Sequence, residues 1–108
     1  MMNPLKFAEM LSKANEVKEQ VQRKLGEMVV EGSSGGGAVT VTMNGKKQLI
    51  KMHIDRAAVV GLSGNQHDVE MLEDLIVAAV NEAGRKADDA VQSNVQNILG
   101  GLEIPNLT

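Results

Sequence analysis

Apolar residues recur at steps of three and four along the first thirty positions and again beyond residue 70, with strict alternation between the two stretches. Phe7, Met10, Ala14, Val17, Val21 and Met28 form a heptad-like seam flanked by Leu11 and Leu25, with Lys24 in its one polar slot. Lys, Glu, Gln and Asn occupy the other faces, as on a solvated helix. Asn3 suits an N-cap and Pro4 a first helical turn, and Gly26 predicts the helix end. The second periodic stretch places Leu72, Ile76, Ala79 and Ala83 on one stripe, widened by Leu75 and Val80. It continues through Ala87, Ala90 or Val91, Val95 and Ile98, which predicts a helix stopping at Gly100-Gly101. Asn65 or Asp68 caps its start, and Glu70, Glu73 and Asp74 complement the helix dipole. Thirty residues at about 1.5 Å each give a rod of roughly 45 Å.

Between the helices, Met28-Val29-Val30-Glu31 reads as a short strand and Gly32 to Gly37 as a break in regular structure. Val39 to Met43, the dipeptide Asn44-Gly45, and Lys46 to Ile54 predict a β-hairpin closed by a two-residue turn. That turn pairs Val39 with Ile50 and Val41 with Gln48. Val39, Val41, Met43, Ile50, Met52 and Ile54 then share a face that is apolar apart from Gln48 and Lys46 near the turn, opposite Thr40, Thr42, Lys47, Lys51 and His53, with Leu49 the exception. Residues 55–66 are left as a loop with room for a helical turn at Arg56–Val60.

The chain has 108 residues and 43% hydrophobic content, but one Phe, no Trp or Tyr, and seven Met. Its core is therefore built from small aliphatic side chains, which bury less area apiece than aromatics. Two long helices and a small sheet cannot cover their own apolar stripes, so an obligate homodimer is expected. Val39, Val41, Ile50, Met52, Leu72 and Ile76 are the expected core and dimer interface. Residues 1–102 are read as a single domain and 103–108 as a loosely ordered tail. The chain has no cysteine, hence no disulfide framework and no Cys-based zinc site. No apolar run approaches the roughly 20 residues of a membrane span. Lys6, Glu9 and Lys13 interrupt any signal-peptide core. A cytoplasmic location without membrane partners is the expectation.

Net charge is −3, yet its distribution is uneven. Residues 1–31 balance five Lys/Arg against five Glu, 32–66 carry four against one acid, and 67–108 carry two against eight. Arg23-Lys24 and Arg85-Lys86 are paired clusters on helices, Lys6 and Lys13 precede the first pair, and Lys46, Lys47 and Lys51 lie on the hairpin. Phosphates need cationic donors, so these nine residues are the candidates for nucleic-acid contact. Without aromatic platforms, stacking on single strands is disfavoured, and no helix-turn-helix spacing supports base readout.

Other chemistry finds no residues to carry it. The Gly35-Gly36-Gly37 stretch runs into Ala38 and a strand, without the Lys-Ser/Thr and helix of a phosphate loop. His53 and His67 belong to no metal-ligand spacing. Glu73 and Asp74 are adjacent on a helix and point about 100° apart, which suits the dipole better than acid–base work. No catalytic residue, metal, cofactor or small-molecule substrate is predicted, and the chain is not expected to be an enzyme.

Gly35-Gly36-Gly37 through Asn44-Gly45, the Ile54-Asp55 pair, and the run from Glu73-Asp74-Leu75 to Asn81 and Arg85 resemble the YbaB/EbfC family of small bacterial nucleoid-associated proteins. The resemblance covers nearly the whole chain. It implies an α+β fold, α-β-β-β-α, with a small antiparallel sheet and two long helices. It further implies a homodimer whose sheets join and whose helices project as arms, binding double-stranded DNA in the nucleoid. With the basic clusters, the expected function is duplex binding through Lys/Arg–phosphate contacts with little sequence selectivity, bridging or compacting DNA and affecting gene expression. The alternative is a cytosolic adaptor or chaperone-like dimer whose arms grip a protein partner through the Met and Leu stripe. Salt dependence separates the two.

Overall fold

The computed structural model describes residues 3–101. In chain order it contains α1 (Pro4–Glu27), β1 (Val29–Ser34), β2 (Val39–Asn44), β3 (Leu49–Ile54), α2 (Arg56–Val60) and α3 (Gln66–Gly101). This is the expected α+β arrangement. The three strands form one antiparallel sheet in the order β1-β2-β3. The molecule is elongated, 72 × 28 × 18 Å, because both long helices overrun the sheet. The tail 103–108 lies outside the described residues, as do the side chains of Val95 and Ile98.

At the start of α1, the Asn3 side chain accepts a hydrogen bond from the Leu5 N–H, and Pro4 fills the first turn. Gly26 does not end this helix. Helical geometry continues to Glu27, and Met28 closes it by donating its N–H to the Lys24 carbonyl. At the other long helix, Asn65 is the cap: its side-chain oxygen accepts from the Asp68 N–H at 2.8 Å. Asp68 answers by accepting from the Ser63 N–H and hydroxyl at 2.8 and 2.7 Å. Those bonds hold the Asp68 carboxyl below the usual aspartate range. With 36 residues, α3 is about 54 Å long at 1.5 Å per residue.

The core lies between α3 and one face of the sheet. Val39, Val41 and Met43 are buried against Ala79, Ala83 and Ala87, with Val30, Ile54, Leu72, Leu75, Ile76 and Val80 packed around them. The alanine row lets the helix approach β1 closely. A Cβ at Gly32 would overlap the Ala79 carbonyl oxygen and the Ala83 amide nitrogen. The Ser34 hydroxyl donates to the Leu75 carbonyl one pair further along.

Two local expectations are corrected. The glycine stretch does not break the fold at Gly32, because β1 runs through Ser34 and pairs Gly32 with Val41 and Ser34 with Val39. The turn is made by Gly35, Gly36 and Gly37, all at positive φ, with Ala38. The second hairpin is not closed by two residues either. Val39 pairs with Ile54 and Val41 with Met52, and a bulge lies between Thr42 and Met43. The cause is Asn44, whose side-chain oxygen accepts from the Lys46 and Gln48 N–H groups while its amide donates to Gln48 Oε1. That network favours a longer loop with Lys47 in the left-handed region, φ 63°. From Val39 to Thr42 the register moves by four residues, an even number, so these positions keep their faces, whereas beyond the bulge Met43 pairs with Leu49. Strand β3 lies beyond the cover of α3. Met52 pairs with the buried Val41 and Ile50 falls at the bulge; Ile50 and Met52 are 55% and 37% exposed in the single chain, outside its own core.

Candidate nucleic-acid interface

Basic residues emerge from this scaffold at three places. The first is α1. Every residue from Asn3 to Gln20 is exposed, and α1 has no buried residue at all. It projects as an arm anchored only at its C-terminal end. There the Gly45 N–H donates to the Leu25 carbonyl at 2.8 Å, and Asn94 contacts the Met28 sulfur at 3.5 Å. At about 100° per residue, Lys6, Lys13 and Lys24 fall within roughly 20° of one another, forming a line about 27 Å long. Glu9, Glu16 and Glu27 lie to one side of that line. Lys18 and Arg23 add charge on other faces. Among the described residues, none of these five cations forms an ion pair; the pairs present are Lys47–Asp88 and Lys86–Glu82.

The second place is the hairpin. Lys46 and Lys47 are exposed on the β2–β3 loop, and Lys51 is exposed on β3 opposite Thr42. Lys51 and His53 project from the sheet face away from α3, beside Thr42 and Thr40. The third place is the flank of α3. Lys86 binds Glu82 at 3.1 Å, one turn away. The Glu82 carboxyl is held below its usual range chiefly by that hydrogen bond, with partial burial opposing. Arg85 faces a cleft of about 390 Å³ that it shares with Lys47. Lys47 reaches Asp88 there at 2.8 Å.

The nine candidate cations thus do not form one patch in the single chain. Lys6, Lys13, Arg23 and Lys24 share the arm, Lys47 and Arg85 meet around the cleft, Lys46 lies on the loop, Lys86 pairs with Glu82 on the flank of α3, and Lys51 stands apart on the open sheet face. Of the expected core and interface residues, Val39 and Val41 are fully buried and Leu72 and Ile76 half-buried, whereas Ile50 and Met52 are exposed. Sequence reasoning missed the cleft. Its only trace is Gly84, a glycine inside an otherwise strong helical pattern. Among the described residues there is no group of three or more His, Asp or Glu placed to hold a metal ion. No helix among them is long and apolar enough to cross a membrane.

An exposed helical arm, a three-stranded sheet and a long second helix thus make up most of the described residues. The sequence profile of the YbaB/EbfC DNA-binding family matches residues 2–102, and this chain belongs to that family, which is not an enzyme family. A nucleoid-associated protein of Acidobacterium capsulatum is 62% identical over 104 residues, covering 96% of each chain. A nucleoid-associated protein of Koribacter versatilis is 45% identical over 97 residues, covering 90% of this chain and 91% of its own. The crystal structure of uncharacterized protein HP0035 from Helicobacter pylori has the same fold. Its TM-score is 0.64 at 22% identity, over 94% of this chain and 98% of that one.

Proposed function

We propose that this chain is a nucleoid-associated protein that binds duplex DNA through Lys/Arg contacts to backbone phosphates, with little sequence selectivity. It acts as a homodimer in the bacterial cytoplasm, residues 1–102 forming its one domain, and bridges or compacts the DNA it binds. The observation that carries this reading is the α1 arm. Its five cations are all exposed and free of ion pairs among the described residues, the state in which they are available to phosphate. Family membership and the relatives' names support the same partner. Dimerisation is supported by the large apolar side chains a single chain leaves in water. They include Leu5, Phe7, Met10, Leu11 and Val17 on α1, and Leu49, Ile50 and Met52 on β3. Exposed apolar surface of this extent marks an interaction site.

Because the α1 stripe is exposed, a protein partner gripped by the arms is the competing reading. Electrophoretic shifts of two unrelated duplexes at two salt concentrations decide between them. Phosphate-driven binding gives equal affinity for both duplexes and steep weakening with salt. Failure to bind DNA, or binding indifferent to salt, contradicts it and favours the apolar grip.

A further inference from the structure

Gly84 stands in the middle of α3, where glycine is the least favourable residue after proline. Gly32 and Gly45 have no room for a side chain, but a Cβ at Gly84 would meet nothing within 4 Å. Packing within the chain therefore does not require glycine here. What the missing side chain does is open the cleft of about 390 Å³ between α3 and the β2–β3 loop. Val80 and Met43 form its apolar floor. Asn81, Arg85 and Asp88 of α3 and Lys47 of the loop supply its polar lining. Lys47, whose backbone is left-handed, reaches Asp88 there at 2.8 Å in an exposed ion pair. Two cations against one carboxylate leave the cleft with one net positive charge. Asp89, the neighbour of Asp88 on the helix, is exposed and does not line the cleft, and Glu82 is paired with Lys86.

We propose that the Gly84 cleft seats one phosphodiester group of the DNA backbone. Arg85 supplies a forked guanidinium donor, Asn81 an amide donor and Lys47 a point charge that exchanges Asp88 for phosphate. Gly84 lets the sugar-phosphate chain come close to the helix. The site is separate from the α1 arm, whose cations line no such recess with α3. It rests on the DNA-binding reading above.

The test uses the full chain with Gly84→Leu, which fills the cleft and favours the helix, and Arg85→Gln with Arg85→Lys as the conservative partner. Gly84→Leu is expected to keep the parent's thermal midpoint or raise it, and to leave its sedimentation unchanged. Its DNA affinity should fall roughly eight-fold for each phosphate released at 0.1 M salt, with the slope of log K against log salt shallower by about one per copy. Arg85→Gln should match it, and Arg85→Lys should recover part of the affinity. Millimolar inorganic phosphate should shift the Asn81 and Arg85 amide resonances of the parent but not of Gly84→Leu. An unchanged DNA slope in Gly84→Leu, alongside weaker binding by Arg23→Ala/Lys24→Ala, overturns the cleft while leaving DNA binding intact. Phosphate shifts with an unchanged DNA slope assign the cleft to a free anion and overturn the proposal. Altered sedimentation of Gly84→Leu overturns it in favour of an interface between copies. A parent protein without salt-dependent DNA binding overturns the underlying function itself.

Discussion

The Gly45 amide donates to the Leu25 carbonyl across 2.8 Å, and a Cβ on Gly45 would sit 2.7 Å from that same oxygen. The β2–β3 loop is therefore clamped to the last turn of α1, at the point from which the exposed arm departs. Any side chain at position 45 must push α1 away from the sheet. Gly45→Ala is expected to cost about 1–3 kcal/mol and to accelerate hydrogen exchange at the Gly45 amide. A denaturant midpoint equal to the parent's would show that α1 is not held by this contact.

Gly32 makes the equivalent close approach beneath α3. A methyl group there would overlap backbone atoms of Ala79 and Ala83, which no side-chain rotation can relieve. Gly32→Ala should therefore destabilise the fold by about 3 kcal/mol, at the upper end of typical overpacking costs. Ala83→Gly in the same background should recover little, because the overlapping atoms are main-chain. Chemical denaturation of the two variants checks both statements.

The start of α3 has a pH signature. Asp68 is held below the usual aspartate range by hydrogen bonds from the Ser63 hydroxyl and N–H. A carboxyl whose pKa is lower in the folded than the unfolded state stabilises the fold above its unfolded pKa. That contribution fades as pH falls through the folded value. Carbon-detected titration should give Asp68 a lower midpoint than a free aspartate, and Asp68→Asn should lose this stability at neutral pH. In strong acid, Asp68→Asn and the parent should converge. A normal Asp68 midpoint contradicts the capping arrangement.

The fold was largely legible from periodicity. The two helical stripes, the strand alternation and the short turn at Arg56–Val60 all lie where the sequence places them. What periodicity could not supply is tertiary competition for the same local signal. Asn44-Gly45 carries the preference for a tight hairpin turn, yet Gly45 is claimed by Leu25, and the Asn44 side chain organises a longer loop. The register follows from those long-range contacts. Gly32 likewise looks like a breaker until Ala79 and Ala83 are seen above it. The candidate cations were legible as residue types, and their grouping was not. That Lys47 meets Arg85 depends on how a loop at position 47 folds against a helix at position 85.

Ile50 separates the single chain from the proposed dimer. At 55% exposure it has little intrachain packing to lose. The roughly 2–5 kcal/mol of a buried Ile→Ala change should therefore appear only in association. Ile50→Ala is expected to keep the parent's secondary structure while its dimer dissociates at higher protein concentration in sedimentation equilibrium. A parent that is monomeric at micromolar concentration contradicts the dimer. An Ile50→Ala dimer as tight as the parent's removes β3 from its interface.

The most direct test of the central claim is the salt dependence of duplex binding. For about four to six phosphates neutralised per dimer, the slope of log K against log salt is expected near −4 to −5. Arg23→Ala with Lys24→Ala should make it shallower by about one for each phosphate no longer neutralised, doubled where both copies touch DNA. A slope near zero, or a slope that this pair leaves unchanged together with Arg85→Ala/Lys86→Ala and Lys46→Ala/Lys47→Ala, would contradict binding through these cations.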